Sequence, residues 1–191
     1  MPATIGVAEL TFAKTDTEPK DTPATYAPAV RVGGAVQVNL TINLASGQDY
    51  ADNQMSEDVN VFVSGSAATE IDNIDLETEA VIFGSTYDEN TGELGDSSLD
   101  SPPYGSLAYY QLKQIGGVNV FRGVFYPKAR AALSPDNAST KNASISFQHS
   151  NPNFTIFQPN VGNWRYRQEF ESEAEVLAWI DEKRGVSKTT P

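Results

Sequence analysis

Carboxylates are the only reactive side chains in this sequence that are numerous enough to build a chemical site. The 191 residues include 25 Asp and Glu, one His and no Cys, with a net charge of -12. A glycosidase needs two carboxylates that face each other across a cleft, one of them with a raised pKa. Most acids here fall in predicted loops or on predicted helix surfaces, where water surrounds them. We therefore do not expect an enzyme.

The sequence also has few residues of the types that bind transition metals or act as nucleophiles. Without Cys there is no thiol nucleophile or zinc-thiolate site, and His149 alone cannot build a multi-histidine site. No Ser-centred elbow motif accompanies His149, so we interpret it as a structural residue. Oxygens of Asp49, Asp52 and Asp58 can hold calcium, but their spacing lacks the glycine and terminal Glu of an EF-hand. A solvated loop is the favoured interpretation, and we predict no cofactor.

Aromatic residues leave one binding function open. A carbohydrate-binding or host-surface-binding β-sandwich module would present aromatic side chains on an open platform. Six residues are candidates for that platform: Trp164, Tyr166, Trp179, Tyr104, Tyr109 and Tyr110. Buried aromatics are also ordinary core residues, so both interpretations stay open at this point.

The charge is unevenly distributed along the chain. Residues 1–100 hold 18 acids and 3 bases, and no Lys or Arg lies between Arg31 and Lys113. This pattern indicates a solvated acidic face, a surface that meets the more basic half of another copy, or one that repels a polyanion. Such a chain is a poor general binder of nucleic acid. No apolar run approaches the roughly 20 residues that cross a bilayer, and we identify no signal peptide.

Strand patterns dominate the sequence. Residues 35–44 alternate between apolar and polar side chains, which predicts a half-buried antiparallel strand whose polar face is uncharged. The same alternation predicts strands at residues 59–63, 118–126 and 144–149, with further strands at 5–13 and 165–170. Gly116-Gly117 predicts the turn of a hairpin that spans residues 104–132.

Two helices and two irregular segments complete the prediction. Ser172 and Glu175 form a capping box that predicts a helix over Glu173–Arg184, and acidic first turns predict a second over residues 71–83. Residues 45–58 and 88–103 are interpreted as a long polar loop and an exposed turn region. We predict one mainly β domain over residues 1–185, an antiparallel sandwich or barrel with one or two flanking helices and a long extended loop. Residues 186–191 would form a flexible tail.

A string of short motifs runs through nearly the whole chain in a fixed order. In that order the motifs resemble the major tail (tail-tube) proteins of long-tailed siphophages, of the type common in phages of Gram-positive bacteria. The motifs are Ala3-Thr4-Ile5-Gly6-Val7, Tyr50-Ala51-Asp52-Asn53, Phe83-Gly84, Thr91-Gly92-Glu93, Pro102-Pro103-Tyr104, Arg122-Gly123-Val124-Phe125-Tyr126-Pro127-Lys128, Thr140-Lys141-Asn142-Ala143-Ser144-Ile145-Ser146-Phe147-Gln148 and Trp164-Arg165.

The resemblance implies a structural virion protein with a β domain of tail-tube type. Six copies would form a ring, and rings would stack head to tail into a hollow tube around the tape-measure protein. The tube would also meet tail terminator and distal tail proteins, and would later conduct DNA without binding it specifically. The resemblance places the protein in the phage tail, after synthesis in the host bacterial cytoplasm, with no membrane partner.

The resemblance also assigns two groups of residues. Residues 45–58 would be an arm that reaches a neighbouring subunit or ring, through Asp49, Tyr50, Asp52, Asn53, Met55, Glu57 and Asp58. An acidic or polar surface would line the lumen or contact the next ring, through Gln37, Asn39, Thr41, Asn43, Asp72, Asp75, Glu77 and Glu79. DNA carries one negative charge per about 1.7 Å of axis, so a wall without Lys or Arg would let it pass. Screening limits this repulsion to about 8–10 Å, hence to a narrow bore.

Overall fold

The described part of the chain is built mainly from antiparallel strands, with two helices. The computed structural model describes residues 3–51, 54–132 and 151–185. The helices are α1 (Leu76–Phe83) and α2 (Glu173–Arg184). The strands are β1 (Ala3–Thr17), β2 (Thr25–Tyr26), β3 (Val30–Gly33), β4 (Ala35–Ala51), β5 (Gln54–Ile71), β6 (Thr86–Asp88), β7 (Glu93–Gly95), β8 (Tyr104–Ile115), β9 (Val118–Ala132), β10 (Asn153–Ile156) and β11 (Tyr166–Phe170). The predicted mainly β fold with flanking helices is confirmed.

One large sheet carries almost all of the strands. Its order is β2-β1-β8-β9-β10-β5-β4, with β3 paired to β1 and β11 paired to β9, while β6 and β7 form a separate two-stranded sheet. The large sheet curls until β1 approaches β4. No ladder joins those two strands in the described ranges, so the curl does not close into a barrel there.

The curled sheet has a hydrophobic core on each face. Successive side chains of a strand point to opposite faces, and β8 and β9 supply both cores. Leu107, Tyr109 and Tyr126 point into the curl, where they join a cluster that includes Leu10, Phe12, Val32, Ile71, Ile82, Phe154 and Ile156. On the outer face, residues of the sheet pack against α2 in a second cluster that contains Ala108, Tyr110, Phe125, Val176, Trp179 and Ile180.

The local signals with a clear stereochemical cause are confirmed. Gly116 and Gly117 have φ values of 61° and 88° and turn β8 into β9. The Ser172 side chain accepts a hydrogen bond from the Glu175 amide at the start of α2, and Gly185 follows its end. Capping side chains satisfy backbone amides that have no partner inside a helix.

Two predicted boundaries are wrong. The first helix begins at Leu76 rather than at residue 71, because the Asp75 side chain accepts a hydrogen bond from the Thr78 amide at 2.7 Å and caps α1 there. Ile71 instead ends β5 and is fully buried. The predicted turn region 88–103 contains β7, which pairs with β6.

The largest correction concerns residues 45–58, which were predicted to be a loop. The backbone of these residues continues β4 and β5 as one long hairpin, apart from Asp52 and Asn53, which lie outside the described residues. Pairing shifts register after Asn43 and after Asp49, and such irregularities interrupt the alternation that identifies a strand. The predicted strand at 144–149 with His149, and the tail 186–191, also lie outside the described residues.

Three tyrosines, two buried and one half-buried, have raised pKa values. Burial raises the pKa of Tyr26 to about 12, and burial together with Tyr126 raises the pKa of Tyr109. Burial and a hydrogen bond to Glu173 raise the pKa of Tyr110 to about 12. Arg184 acts in the opposite direction, since burial lowers its pKa from 12.5 to about 10. The three raised tyrosine pKa values lower the stability of the fold as the pH rises, whereas the lowered pKa of Arg184 acts in the opposite direction.

We predict that the free energy of unfolding falls as the pH rises from 10 to 12. In that window the unfolded chain loses tyrosine protons that the folded chain keeps, so the folded state binds more protons and loses stability with rising pH. The urea midpoint, measured at pH 8, 9.5 and 11, should decrease at the highest pH. Tyr26→Phe should make the decrease smaller, and a midpoint that rises between pH 9.5 and 11 would contradict the prediction.

Candidate assembly surface

The β4–β5 hairpin extends well beyond its attachment to the rest of the sheet. The two strands pair from Ala35 opposite Ile71 to Ala51 opposite Gln54. On its other edge, within the described residues, β5 pairs with β10 at residues 65–68. β4 lies at the end of the sheet order, so its outer edge has no strand partner among the described residues. Isolated two-stranded hairpins are marginally stable in water, which makes this hairpin a candidate for a contact with another molecule.

The hairpin also exposes apolar side chains, on both of its faces. We use the name apolar strip for six residues that are each between 41% and 56% exposed: Val36, Ile42, Leu44, Val59, Val61 and Val63. Ile42 and Leu44 lie on one face of the hairpin, whereas Val61 and Val59 pair with Ala45 and Gly47 and lie on the other face. Single exposed apolar side chains are common on proteins, so the case for an interaction surface rests on the number of these residues within one hairpin. Burial of apolar area contributes about 25 cal/mol per Å², so a partner that covered the strip would gain stability.

The outer edge of β4 lacks the usual protection against pairing. Natural edge strands carry charged residues, especially Lys, or Pro, which hinder the addition of another strand. In β4 the first charged residue is Asp49, and the strand contains no Pro, Lys or Arg. Residues 35–48 therefore present an uncharged edge that can accept a strand.

Four of the predicted lumen residues share one face of the hairpin. Gln37, Asn39, Thr41 and Asn43 are exposed and lie opposite, in that order, Glu70, Ala68, Ser66 and Ser64 of β5. Gln37 Nε2 donates to Asn39 Oδ1, and Asn43 Nδ2 donates to Ser64 Oγ, both at 3.1 Å. The structure brings these four side chains together as an uncharged polar row, which extends from Gln37 to Asn43 along β4.

The four predicted acidic residues lie elsewhere, and two have local structural roles. Asp72 follows β5 and accepts hydrogen bonds from the amides of Gly34 and Asn73, while Asp75 caps α1. These backbone amides hold the pKa of both carboxyls below the ordinary value. Glu77 is exposed on α1 and Glu79 is half-buried there. Whether any of the four faces a lumen stays a prediction.

Neither Asp88 nor Glu169 has the raised pKa that a general acid needs. Amide hydrogen bonds from Asn90 lower the pKa of Asp88. The hydrogen bond from Arg122 lowers the pKa of Glu169. Among the described residues, no group of three or more His, Asp or Glu is arranged to hold a metal ion.

The predicted arm residues occupy the tip of the hairpin. Asp49 lies opposite Glu57, Gln48 opposite Asp58, and Tyr50 opposite Met55. Asp52 and Asn53 lie outside the described residues, so the calcium interpretation of Asp49, Asp52 and Asp58 stays untested. The backbone places the acids of the arm at the end of the hairpin that is farthest from its attachment to β10.

Several cations of the more basic half are already paired within the chain. Arg122 and Lys113 contact Glu169 at 2.6 and 3.8 Å, and Lys128 contacts Glu18 at 2.6 Å. Arg130 donates instead to the Pro102 carbonyl. These cations are less available to the acidic half of another copy, so apolar and backbone contacts have the larger part in any association.

The candidate aromatic platform is mostly core. Tyr109, Tyr110 and Trp179 are buried. Trp164 stacks against Phe62 of β5 with ring centroids 4.2 Å apart, and its ring also lies parallel to that of Tyr126. These contacts favour the core interpretation of the aromatics and attach β5 to the segment before β11.

We predict that the double variant Leu44→Ser/Val61→Ser weakens self-association without destabilising the monomer. Both side chains are more than half exposed in the single chain, so the free energy of unfolding should change by less than about 0.5 kcal/mol. Sedimentation velocity over a concentration series should show association only at higher concentration. Leu99→Ser, at an exposed leucine outside the hairpin, is the matched control and should behave as the wild type. Equal association of the double variant and the wild type would contradict the prediction.

Comparisons with known proteins add no assignment. No protein-family model matches the sequence, and no curated protein matches it. In the described part of the chain, neither helix has the length and apolar character needed to cross a bilayer. The functional interpretation therefore depends on the motif order and on the geometry of the hairpin.

Proposed function

We propose that this chain is the tail-tube subunit of a long-tailed siphophage. In this proposal six copies form a ring, and rings stack into the hollow tube of the virion tail. The observation that carries the proposal is the β4–β5 hairpin, which combines the apolar strip with an uncharged edge that has no strand partner among the described residues. A partner would cover both features, and further copies of the same chain can supply one at every position of a ring.

The geometry of such a contact would be heterologous. The edge of β4 would meet a different surface of the next copy, and a contact between unlike surfaces closes into a ring or continues as a filament. Sheet continuation would satisfy the free amides and carbonyls of β4 and remove an edge that is otherwise prone to aggregation. The motif order that resembles tail-tube proteins supports the same assignment independently.

The polar row suits the inner wall of a tube that conducts DNA. Gln37, Asn39, Thr41 and Asn43 offer hydrogen-bonding groups but no cation. Phosphate binding depends on Lys and Arg, whose contacts release counterions, so a wall built from this row would not hold DNA. The tape-measure protein before ejection, and DNA during it, are the partners that the proposal assigns to this surface. Tail terminator and distal tail proteins would contact the ends of the tube.

The direct test is negative-stain electron microscopy of the purified protein at increasing concentration. Hollow tubes built from stacked rings are expected, and sulfate should favour them because kosmotropic salts strengthen apolar burial. A protein that stays monomeric at high concentration in a kosmotropic salt would overturn the proposal. Turnover of a polysaccharide by the purified protein would also overturn it.

A second prediction tests the arm. Replacement of residues 47–59 by Asn-Gly joins Ser46 to Asn60, which lie opposite each other in the hairpin, through a favoured two-residue turn. The circular dichroism spectrum and the unfolding midpoint should be retained, because both cores lie outside the removed residues. Tube formation should be lost.

The control for the arm variant is Val118→Ser, which changes an exposed residue at the β8–β9 turn. This control should form tubes at the wild-type concentration. Tubes formed equally well by the shortened hairpin would show that the arm is not needed for assembly.

A further inference from the structure

The root of the β4–β5 hairpin is held by one carboxylate. Gly34 is the single residue between β3 and β4, and Asp72 directly follows β5. The Gly34 amide donates to Asp72 Oδ1 at 2.7 Å, and the Asp72 amide donates back to the Gly34 carbonyl at 3.0 Å. The Asn73 amide donates to the same Oδ1 at 2.7 Å. The two chain segments that enter and leave the hairpin are thus joined side by side.

The fit at this contact is close. A Cβ atom added at Gly34 would lie 2.6 Å from Asp72 Oδ2, a distance that forces either the carboxylate or the backbone to move. The Gly34 hydrogen bond is also the main reason that the pKa of Asp72 lies below its ordinary value, with the Asn73 amide second and Arg31 contributing. The contact therefore depends on a glycine at one side and on an acceptor oxygen at the other.

This contact connects the two margins of the curled sheet. β3 belongs to the margin formed by β1, whereas β4 and β5 form the opposite margin. Among the described residues, β5 pairs with β10 at residues 65–68, and the Thr69 amide donates to the Pro152 carbonyl. The Phe62–Trp164 stack holds β5 on the side of the tip. The Asp72 contact adds an attachment on the side of the root, where the chain enters and leaves the hairpin.

The length of the hairpin makes its direction important. At about 3.3 Å per residue, the part of β4 from Ile42, which lies opposite the β10-paired end of β5, to Ala51 spans about 30 Å. A rotation of about 10° would then displace the tip by about 5 Å, given that rise per residue. A contact between two copies tolerates far less displacement than this.

We propose that Asp72 is a positioning residue for self-assembly, which holds the hairpin in the direction that the neighbouring copy requires. This inference rests on the proposed function, since it concerns the same association. A segment that is already held in its bound direction loses less conformational entropy on association. Loss of the contact should therefore raise the concentration needed for assembly while both cores remain packed.

The test compares Asp72→Ala, Gly34→Ala and Asp72→Asn with the wild type. Asp72→Ala removes the acceptor and Gly34→Ala displaces it, so each should raise the critical concentration for tube formation by about tenfold or more, equivalent to about 1.4 kcal/mol. Asp72→Asn keeps an acceptor oxygen and should restore assembly to within about threefold of the wild type. Asp88→Ala is the matched control, because Asp88 also accepts a backbone hydrogen bond, from the Asn90 amide, but in the β6–β7 turn.

Hydrogen exchange of the dilute monomer supplies a readout that does not depend on tubes. The amides of Gly34 and Asn73 should exchange faster in Asp72→Ala, with unchanged exchange in β8 and β9. Wild-type tubes together with wild-type assembly of Asp72→Ala and Gly34→Ala would overturn the positioning role. Loss of assembly in Asp72→Asn would overturn it as well, since charge rather than an acceptor would then be required. Absence of tubes from the wild type would overturn the proposed function instead, and unchanged exchange at Gly34 would still refute the contact.

Discussion

Among the described residues, the outer edge of β4 has no strand partner, and the proposed function depends on this constraint. Backbone amides and carbonyls at the edge of a sheet remain available for another strand, and β4 carries no charge or proline before Asp49 to prevent such pairing. The same hairpin exposes six branched apolar side chains to water. An exposed surface of this kind favours a partner or aggregation. In the proposed function, further copies of the chain would supply the partner without any other molecule.

Both hydrophobic cores lie outside the hairpin tip. β8 and β9 lie at the centre of the sheet and contribute to the core inside the curl and to the core under α2. Arg184 strengthens the attachment of α2, because its buried guanidinium donates to Ser106 Oγ and to the Thr11 carbonyl. In the proposed function, stability and association would therefore depend on different parts of the chain.

Short-range stereochemistry was predictable from the sequence. The Gly116-Gly117 turn, the Ser172 cap and the end of α2 at Gly185 depend on a few neighbouring residues, and each is confirmed. The strand at residues 35–44 was also predictable, because its alternation reports one face directly. The burial of its apolar face was not predictable, and Val36, Ile42 and Leu44 are exposed. An apolar face predicts burial, but it does not show whether the chain's own core or a partner covers that face.

The hairpin tip and the role of Asp72 needed the structure. Register shifts interrupt the alternation of residues 45–58, and polar composition then favoured a loop. The Asp72–Gly34 contact joins residues 38 positions apart, and no local pattern identifies such a pair. The N-cap at Asp75 was accessible in principle, because an Asp three residues before Thr78 is a capping pattern, but the predicted helix was started too early to recognise it.

Hydrogen exchange of β4 measures the central claim most directly. The account predicts that the outward-facing amides of residues 36–48 exchange rapidly in the dilute monomer. The same amides should become strongly protected when the protein is concentrated and associates. Protection of these amides in the dilute monomer, or their rapid exchange in the associated state, would contradict the claim that another copy of the chain completes this edge.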